Sequence, residues 1–177
     1  SNATVTTDGD GNARTTGDPT EVALLVAGAK AGLERNALLQ ESPELLELAF
    51  DPDTKRMATL HESQGGLFAA VKGAPETVVE RCTSLRTPDG TIELGEADRA
   101  EWLKAADEMA AKGERVLALA TRETSSSTDF DFSGLVLLGL VGFFDPPRER
   151  VRTAVDTCQA AGIRVVMVTG DHGATAW

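Results

Sequence analysis

The 177-residue chain has few cysteines, no long apolar run and a shortage of positive charge. Its two cysteines, Cys82 and Cys158, match no metal-binding or redox spacing, so they fit a reduced, intracellular protein, and neither is expected to act as a nucleophile. The longest apolar run, Leu135–Phe144, is too short to span a bilayer and suits a buried strand. The net charge of -11 argues against binding to nucleic acid or to an anionic membrane surface.

The chain also shows no signal peptide and no initiating methionine. Residues 1–3, Ser-Asn-Ala, resemble the scar left by tag removal, and the chain is expected to be a soluble piece of a larger protein. Its composition is that of a globular protein with one main domain. His61 and His172 have no partners at ligand spacing, so no metal site is predicted.

Helix and turn patterns are clearest near the N-terminus. Residues 4–17 are polar and glycine-rich, which predicts a loop or a frayed arm. Asp18 is a good N-cap, Pro19 suits a first helical turn, and Glu21 completes a capping box. Apolar residues then recur at helical spacing, so a helix is predicted from Pro19 to about Gly32.

Strand patterns dominate the middle of the chain, which predicts an α+β fold with a mostly antiparallel sheet flanked by helices. Strands are predicted over residues 45–50, 55–62, 67–72, 115–122 and 134–143. Helices are predicted over residues 34–40, 75–82, 97–112 and 149–161. Two prolines at 146 and 147 mark a hinge, and the last helix with a strand over 163–168 predicts a partial α/β, Rossmann-like unit.

Several residues are candidates for binding, and each has an ordinary structural alternative. Lys72 ends a strand before Gly73, where a glycine lets the backbone approach a ligand and a lysine suits phosphate; the alternative is a solvated strand end. Phe50 either stacks on a flat ring or packs in the core. Glu21 contacts a ligand or only completes its capping box. Arg115 contacts a ligand or is a surface arginine.

Six short sequence blocks favour the binding alternative, because together and in this order they resemble a known family. The sequence resembles the cation-transporting P-type ATPases, in their calcium-pump-like branch, over almost the whole chain from residue 17. The blocks that carry the resemblance are GDPTEVALL (17–25), FDPDTKRM (50–57), VKGAPE (71–76), GERVLALA (113–120), DPPR (145–148) and MVTGDHGATA (167–176). The resemblance implies a nucleotide-binding domain over residues 4–143, followed by a hinge and part of the phosphorylation domain over 144–177.

The resemblance also implies roles for single residues. Glu21 would contact the adenine side of ATP and Phe50 would stack on its ring. Lys55 and Lys72 would line the nucleotide pocket, with Lys72 at its floor and Gly73 beside it. Arg115 would reach the phosphates.

The resemblance gives the end of the chain a different role. Asp145 and Arg148 would belong to the hinge between the two domains. Thr169, Gly170 and Asp171 would face the phosphorylation site; from the residues alone, they lie where α/β sheets place ligands or form an ordinary strand-end turn.

The family's phosphorylated Asp-Lys-Thr-Gly-Thr motif is absent, as is its Gly-Asp-Gly-x-Asn-Asp magnesium motif. We therefore expect a fragment, with no catalytic residue and no metal ligand of its own, that binds ATP without hydrolysing it. In the intact pump, Mg²⁺ would accompany ATP. The partners would be the pump's other domains, at the cytoplasmic face of the membrane. Two alternatives stay open: an inactive interaction module, and a phosphatase of the same phosphoaspartate superfamily, which would need an Asp-x-Asp loop after a first strand.

Overall fold

The computed structural model describes residues 3–7, 13–125, 130–144, 150–166 and 168. Within these residues the helices are α1 (Pro19–Lys30), α2 (Arg35–Glu41), α3 (Pro75–Val79), α4 (Glu96–Ala110) and α5 (Val151–Ala160). The strands are β1 (Thr4–Thr7), β2 (Ala13–Thr16), β3 (Glu44–Asp51), β4 (Arg56–Ser63), β5 (Gly66–Gly73), β6 (Cys82–Thr87), β7 (Gly90–Glu93), β8 (Arg115–Thr124) and β9 (Leu135–Phe143).

A seven-stranded sheet organises the molecule, in the order β3-β4-β5-β8-β9-β6-β7. Every neighbouring pair in it is antiparallel except β6 and β9, which run parallel. The α+β fold with a mostly antiparallel sheet is therefore confirmed. The predicted strands at β3, β4, β5, β8 and β9 lie within two residues of their observed bounds.

The two faces of the sheet differ in how they are covered. In register, Ala58 of β4 lies opposite Val71 of β5, which lies opposite Ala120 of β8, and all three are buried. This face carries the hydrophobic core, with α3 and α4 packed on it. The opposite face carries Met57 and Lys72 in register, and α1 lies over it, as the ion pair between Lys72 and Glu21 shows. None of the residues of α1 is fully buried.

Helix α4 confirms the helix predicted over residues 97–112, and its N-terminal cap and buried residues explain why it forms there. The amide of Gly95 donates to the Asp98 carboxylate at 2.9 Å, which caps the N-terminus. Ala106 is buried and Trp102 packs against the core, as the helical spacing predicted. Arg99 donates twice to the carbonyl oxygen of Cys82, at 3.1 and 2.9 Å, and so joins the helix to β6.

Three predictions about elements were wrong. Residues 4–17 do not form only a loop, because β1 and β2 pair as an antiparallel hairpin; threonine and valine at 4–7 favour extended backbone. The helix predicted through Cys82 ends at Val79, and Cys82 begins β6, which pairs with β7 and β9. The pairing of β6 with β9 joins segments distant in sequence, so local periodicity did not indicate it.

The third wrong prediction is the strand over residues 163–168. Helix α5 forms near its predicted bounds and is followed by Gly162 at a positive φ of 76°. Residues 163–166 and 168 then have no regular secondary structure, and Val166 is 67% exposed. A single strand has nothing to satisfy its backbone groups, and no strand among the described residues pairs with this segment.

Within the described part of the chain, no helix is both long and apolar enough to cross a membrane. No group of three or more histidine, cysteine, aspartate or glutamate side chains among these residues is arranged to hold a metal ion.

Adjacent leucines on β9 offer a matched test of the core. Leu137 is fully buried, whereas Leu138 is 47% exposed. We expect Leu137→Ala to lower the free energy of unfolding by about 2–5 kcal/mol, because it leaves a cavity in the core. Leu138→Ala should cost less than about 1 kcal/mol. Urea denaturation of both variants measures the difference, and equal losses would contradict the described orientation of β9.

Candidate functional site

A cleft of about 610 Å³ opens on the sheet face that α1 partly covers. It is lined by the start of α1, the second half of β3, the β3–β4 turn, the start of β4, the end of β5 and the start of β8. All six residues predicted from the sequence to bind nucleotide line it: Glu21, Phe50, Lys55, Lys72, Gly73 and Arg115. The other five predicted residues, Asp145, Arg148, Thr169, Gly170 and Asp171, lie outside the described residues.

An ion pair between Lys72 and Glu21 joins the sheet to α1 across the cleft. The side chains are only 16% and 15% exposed, so the pair is largely withdrawn from water. In register, Lys72 lies opposite the buried Met57. The Lys72 side chain therefore lies on the sheet face toward α1 and not on the core face. A charge pair at this depth is costly to break on one side only.

Phe50 lies at the end of β3 and is 57% exposed. It is therefore no part of the hydrophobic core, and the core alternative considered for it is excluded. An exposed aromatic side chain at the mouth of a cleft leaves ring surface accessible to a flat ligand.

The turn that follows Phe50 is held by Asp51. Its carbonyl oxygen accepts from the Lys55 amide at 2.7 Å, and its carboxylate accepts from the Asp53 amide at 2.9 Å and from the Thr54 hydroxyl at 3.0 Å. The hydrogen bond from the Asp53 amide, and then the one from Thr54, lower the pKa of the Asp51 carboxyl.

Lys55 closes this turn in the left-handed region, at a φ of 49°. Its ammonium lies 3.2 Å from the Glu76 carboxylate, in a pair whose side chains are 58% and 56% exposed. Such an exposed pair contributes little stability and exchanges readily for another partner. The cleft thus contains two lysines of different character: Lys72 is held in place, and Lys55 is accessible.

Arg115 begins β8, at the same end of the sheet as the Asp51–Lys55 turn. It donates to the Thr20 hydroxyl at 3.3 Å, which places its guanidinium near the N-terminus of α1. The N-cap Asp18 accepts from the Thr20 amide at 2.8 Å. That hydrogen bond is the main cause of the lowered pKa of Asp18, and attraction to Arg115 acts in the same direction.

Sequence reasoning missed other residues of the cleft. The most informative are the acids Asp18 and Glu47 and the apolar residues Met57 and Leu117. Glu47 alternates along β3 with the core-packed Leu48, and this alternation was the available indication that it faces away from the core. The arrangement as a whole, with an accessible ring, three cations and apolar floor residues, suits a ligand that is flat at one part and anionic at another.

Known proteins resemble this chain over most of its length. Residues 1–150 match the family model described as "P-type ATPase, cytoplasmic domain N". The chain is similar to calcium-transporting ATPase 1 of Bacillus cereus, at 42% identity over 94% of this chain and 19% of the relative. It is similar to cation-transporting ATPase pma1 of Synechocystis, at 41% identity over 90% of this chain and 18% of the relative.

A third relative is the sodium/potassium exporting P-type ATPase cta3 of Schizosaccharomyces pombe, at 39% identity over 90% of this chain and 16% of the relative. The chain therefore spans less than a fifth of the length of these three proteins.

The two lysine–carboxylate pairs predict different stability effects. Glu21→Gln should lower the free energy of unfolding by about 1–3 kcal/mol, because it leaves the Lys72 ammonium with reduced compensation away from water. Glu76→Gln, the matched control in the exposed pair, should cost less than about 1 kcal/mol. Replacing both Glu21 and Lys72 by leucine should recover much of the loss. Urea denaturation of the variants measures these values, and equal losses for the two glutamine variants would contradict the difference in burial.

Proposed function

The chain belongs to the cation-transporting P-type ATPases, and we propose that its cleft binds ATP on behalf of a membrane cation pump. The observation that carries the proposal is the meeting in one cleft of the exposed Phe50 ring with three cations, Lys55, Lys72 and Arg115. An aromatic face suits a purine base, and ammonium and guanidinium groups suit phosphate oxygens.

The proposed roles follow the depth of each residue in the cleft. Phe50 stacks on the adenine ring. The Glu21–Lys72 pair presents a carboxylate acceptor beside an ammonium donor to the polar edge of the base. Lys55 and Arg115 contribute positive charge near the phosphates.

Charge explains why these cations matter. The chain has a net charge of -11, and ATP is itself a polyanion, so binding needs local positive charge to offset repulsion. Lys72 is already paired with Glu21, so most of the attraction for phosphate falls to Lys55 and Arg115. Lys55 can leave the exposed Glu76 at little cost and turn to a phosphate.

In the intact pump, we propose that residues 4–143 are the nucleotide-binding domain and that residues 144–177 hold the hinge and part of the phosphorylation domain. The domain would carry ATP to the phosphorylated aspartate, at the cytoplasmic face of the membrane, with the remaining pump domains as its partners. Mg²⁺ would accompany ATP there, held mostly by residues outside this chain.

Two other functions make different predictions. An inactive interaction module of the same fold would bind neither ATP nor adenosine. A phosphatase would need a nucleophilic Asp-x-Asp loop, and the match at residues 8–10 lies outside the described residues. Titration with ATP separates the first alternative from our proposal, and an assay with a phosphate monoester tests the second.

The base and the phosphates should be separable by mutation. Phe50→Ala should weaken ATP and adenosine alike, by about 5- to 160-fold, since base–aromatic stacking contributes ~1–3 kcal/mol. Lys55→Ala should weaken ATP by about fivefold at low salt and leave adenosine unchanged, because an exposed charge acts on the phosphates and is screened by salt. Calorimetric titration of both variants with both ligands, at low and high salt, measures these effects.

Two outcomes of this titration would count against the assigned roles. If Phe50→Ala leaves adenosine binding unchanged, the ring is no platform for the base. If the effect of Lys55→Ala is the same for adenosine and ATP and does not vary with salt, its charge does not act on the phosphates. Leu138→Ala, which alters an exposed residue outside the cleft, is the control for unspecific effects.

This chain should bind ATP without releasing phosphate from it, because it contains no Asp-Lys-Thr-Gly-Thr motif to accept the phosphoryl group. Phosphate release measured at saturating ATP and Mg²⁺ should equal that of a Phe50→Ala sample purified in parallel. Release that falls with the loss of ATP binding in Phe50→Ala would show that the fragment itself hydrolyses ATP.

A further inference from the structure

Gly73 ends β5 at the point where the β3–β4 turn packs against it. A Cβ atom built on Gly73 would lie 2.5 Å from the carbonyl oxygen of Lys55 and 2.8 Å from both Cα and Cβ of Arg56. Real Cβ atoms do not approach other atoms so closely, and these atoms belong to the backbone or are fixed directly to it. A side chain at position 73 would therefore push the turn away from β5.

The turn that would be displaced is a well-defined unit. Its amide and hydroxyl groups are bound by Asp51, and Lys55 completes it at a positive φ. The amide of Ala74 donates to the Lys55 carbonyl oxygen at 2.9 Å, which joins the turn to the residue after Gly73. Because hydrogen bonds join the residues of the turn to one another, a displacement of Lys55 also displaces Asp51.

Phe50 is the residue immediately before this unit. Since its side chain is 57% exposed, few neighbouring side chains fix its ring. The position of the ring is then set mainly by the backbone of β3 and of the turn. A displacement of the turn therefore moves the ring relative to Lys72 on β5, and so changes the width of the gap between them.

We propose that Gly73 is a positioning residue for the base: it acts through the Asp51–Lys55 turn on Phe50, and it makes room for the chain's own turn rather than for the ligand. This inference rests on the proposed function, because it assumes that Phe50 stacks on the base. The alternative is that Gly73 contacts the ligand directly. In that case, replacing Gly73 would weaken binding whether or not the Phe50 ring is present.

The test compares two glycines of the same hairpin. Gly73→Ala should weaken adenosine and ATP by about tenfold each, because both carry the base. Gly65→Ala, in the β4–β5 turn, is the matched control: a Cβ there would meet nothing within 4 Å, and its φ is not positive. It should bind both ligands like the wild type in a calorimetric titration.

A double-mutant cycle distinguishes positioning from a general structural effect. If Gly73 acts through the ring, Gly73→Ala should weaken adenosine less than twofold in a chain that already carries Phe50→Ala. If the two losses multiply instead, Gly73 acts independently of Phe50 and the proposal is overturned. A Gly73→Ala chain that binds adenosine like the wild type overturns it as well.

A second variant covers the case in which Gly73→Ala does not fold, as judged by circular dichroism. Asp51→Ala removes the acceptor of two turn hydrogen bonds at an exposed position and introduces no clash. It should weaken adenosine several-fold, and again this loss should disappear in the Phe50→Ala background. Losses that multiply, or no loss, would overturn the proposal.

Failure of the inference is distinguishable from failure of the proposed function. If the wild-type chain binds neither adenosine nor ATP, the proposed function fails and the inference fails with it. If the wild type binds and Phe50→Ala weakens binding, while neither turn variant has an effect coupled to Phe50, only the role of Gly73 is wrong.

Discussion

The cleft depends on an unusual way of holding a helix on a sheet. Helix α1 has no fully buried residue, yet it lies over the sheet face that carries Lys72. Polar contacts help to hold α1 on this face, whereas apolar packing holds the helices on the other face. Glu21 forms an ion pair with Lys72, and the Thr20 hydroxyl accepts a hydrogen bond from Arg115. Apolar packing would have closed the space beneath the helix, whereas polar contacts between long side chains keep it open. The same residues therefore hold the helix in place and line the cleft.

One face of the sheet carries the core that stabilises the fold, and the other face carries the cleft. The face under α3 and α4 is lined by small and branched apolar residues and carries the core. In the cleft under α1, two cations are paired with acids: Lys72 with Glu21 of α1, and Lys55 with Glu76 at the start of α3. Pre-pairing lowers the affinity available to any anionic ligand, because an existing partner must be released, and it also prevents a strongly positive cleft from capturing anions at random. For the ATP site that we propose, such moderate affinity would favour the later release of ADP.

The sequence predicted those parts of the fold whose cause is local. Strands β3, β4 and β5 follow from alternation and turn residues, and α1 and α4 from capping and helical spacing. Strand β6 was missed because what makes it a strand is its pairing with β9, some fifty residues further on. For the cleft, the resemblance implied binding roles for six residues, and all six line it. The structure adds that Phe50 is 57% exposed, which excludes a place in the core. The positioning contacts of Gly73 depend on interatomic distances, which no sequence pattern expresses.

Contacts that close the cleft join residues far apart in the chain. Thr20 and Arg115 are separated by 95 positions, and Glu21 and Lys72 by 51. Contacts that close loops of this length form slowly, because the entropic cost of closing the loop comes before the contacts stabilise it. The hairpins of β3, β4 and β5 are expected to assemble early, and the cleft only after β8 has been added beside β5. During synthesis, a ribosome that has released residues up to about Thr87 would have made most of the cleft's residues but not yet the cleft. Under the proposed function, nucleotide would stabilise the finished domain by mass action, but not the partly made chain.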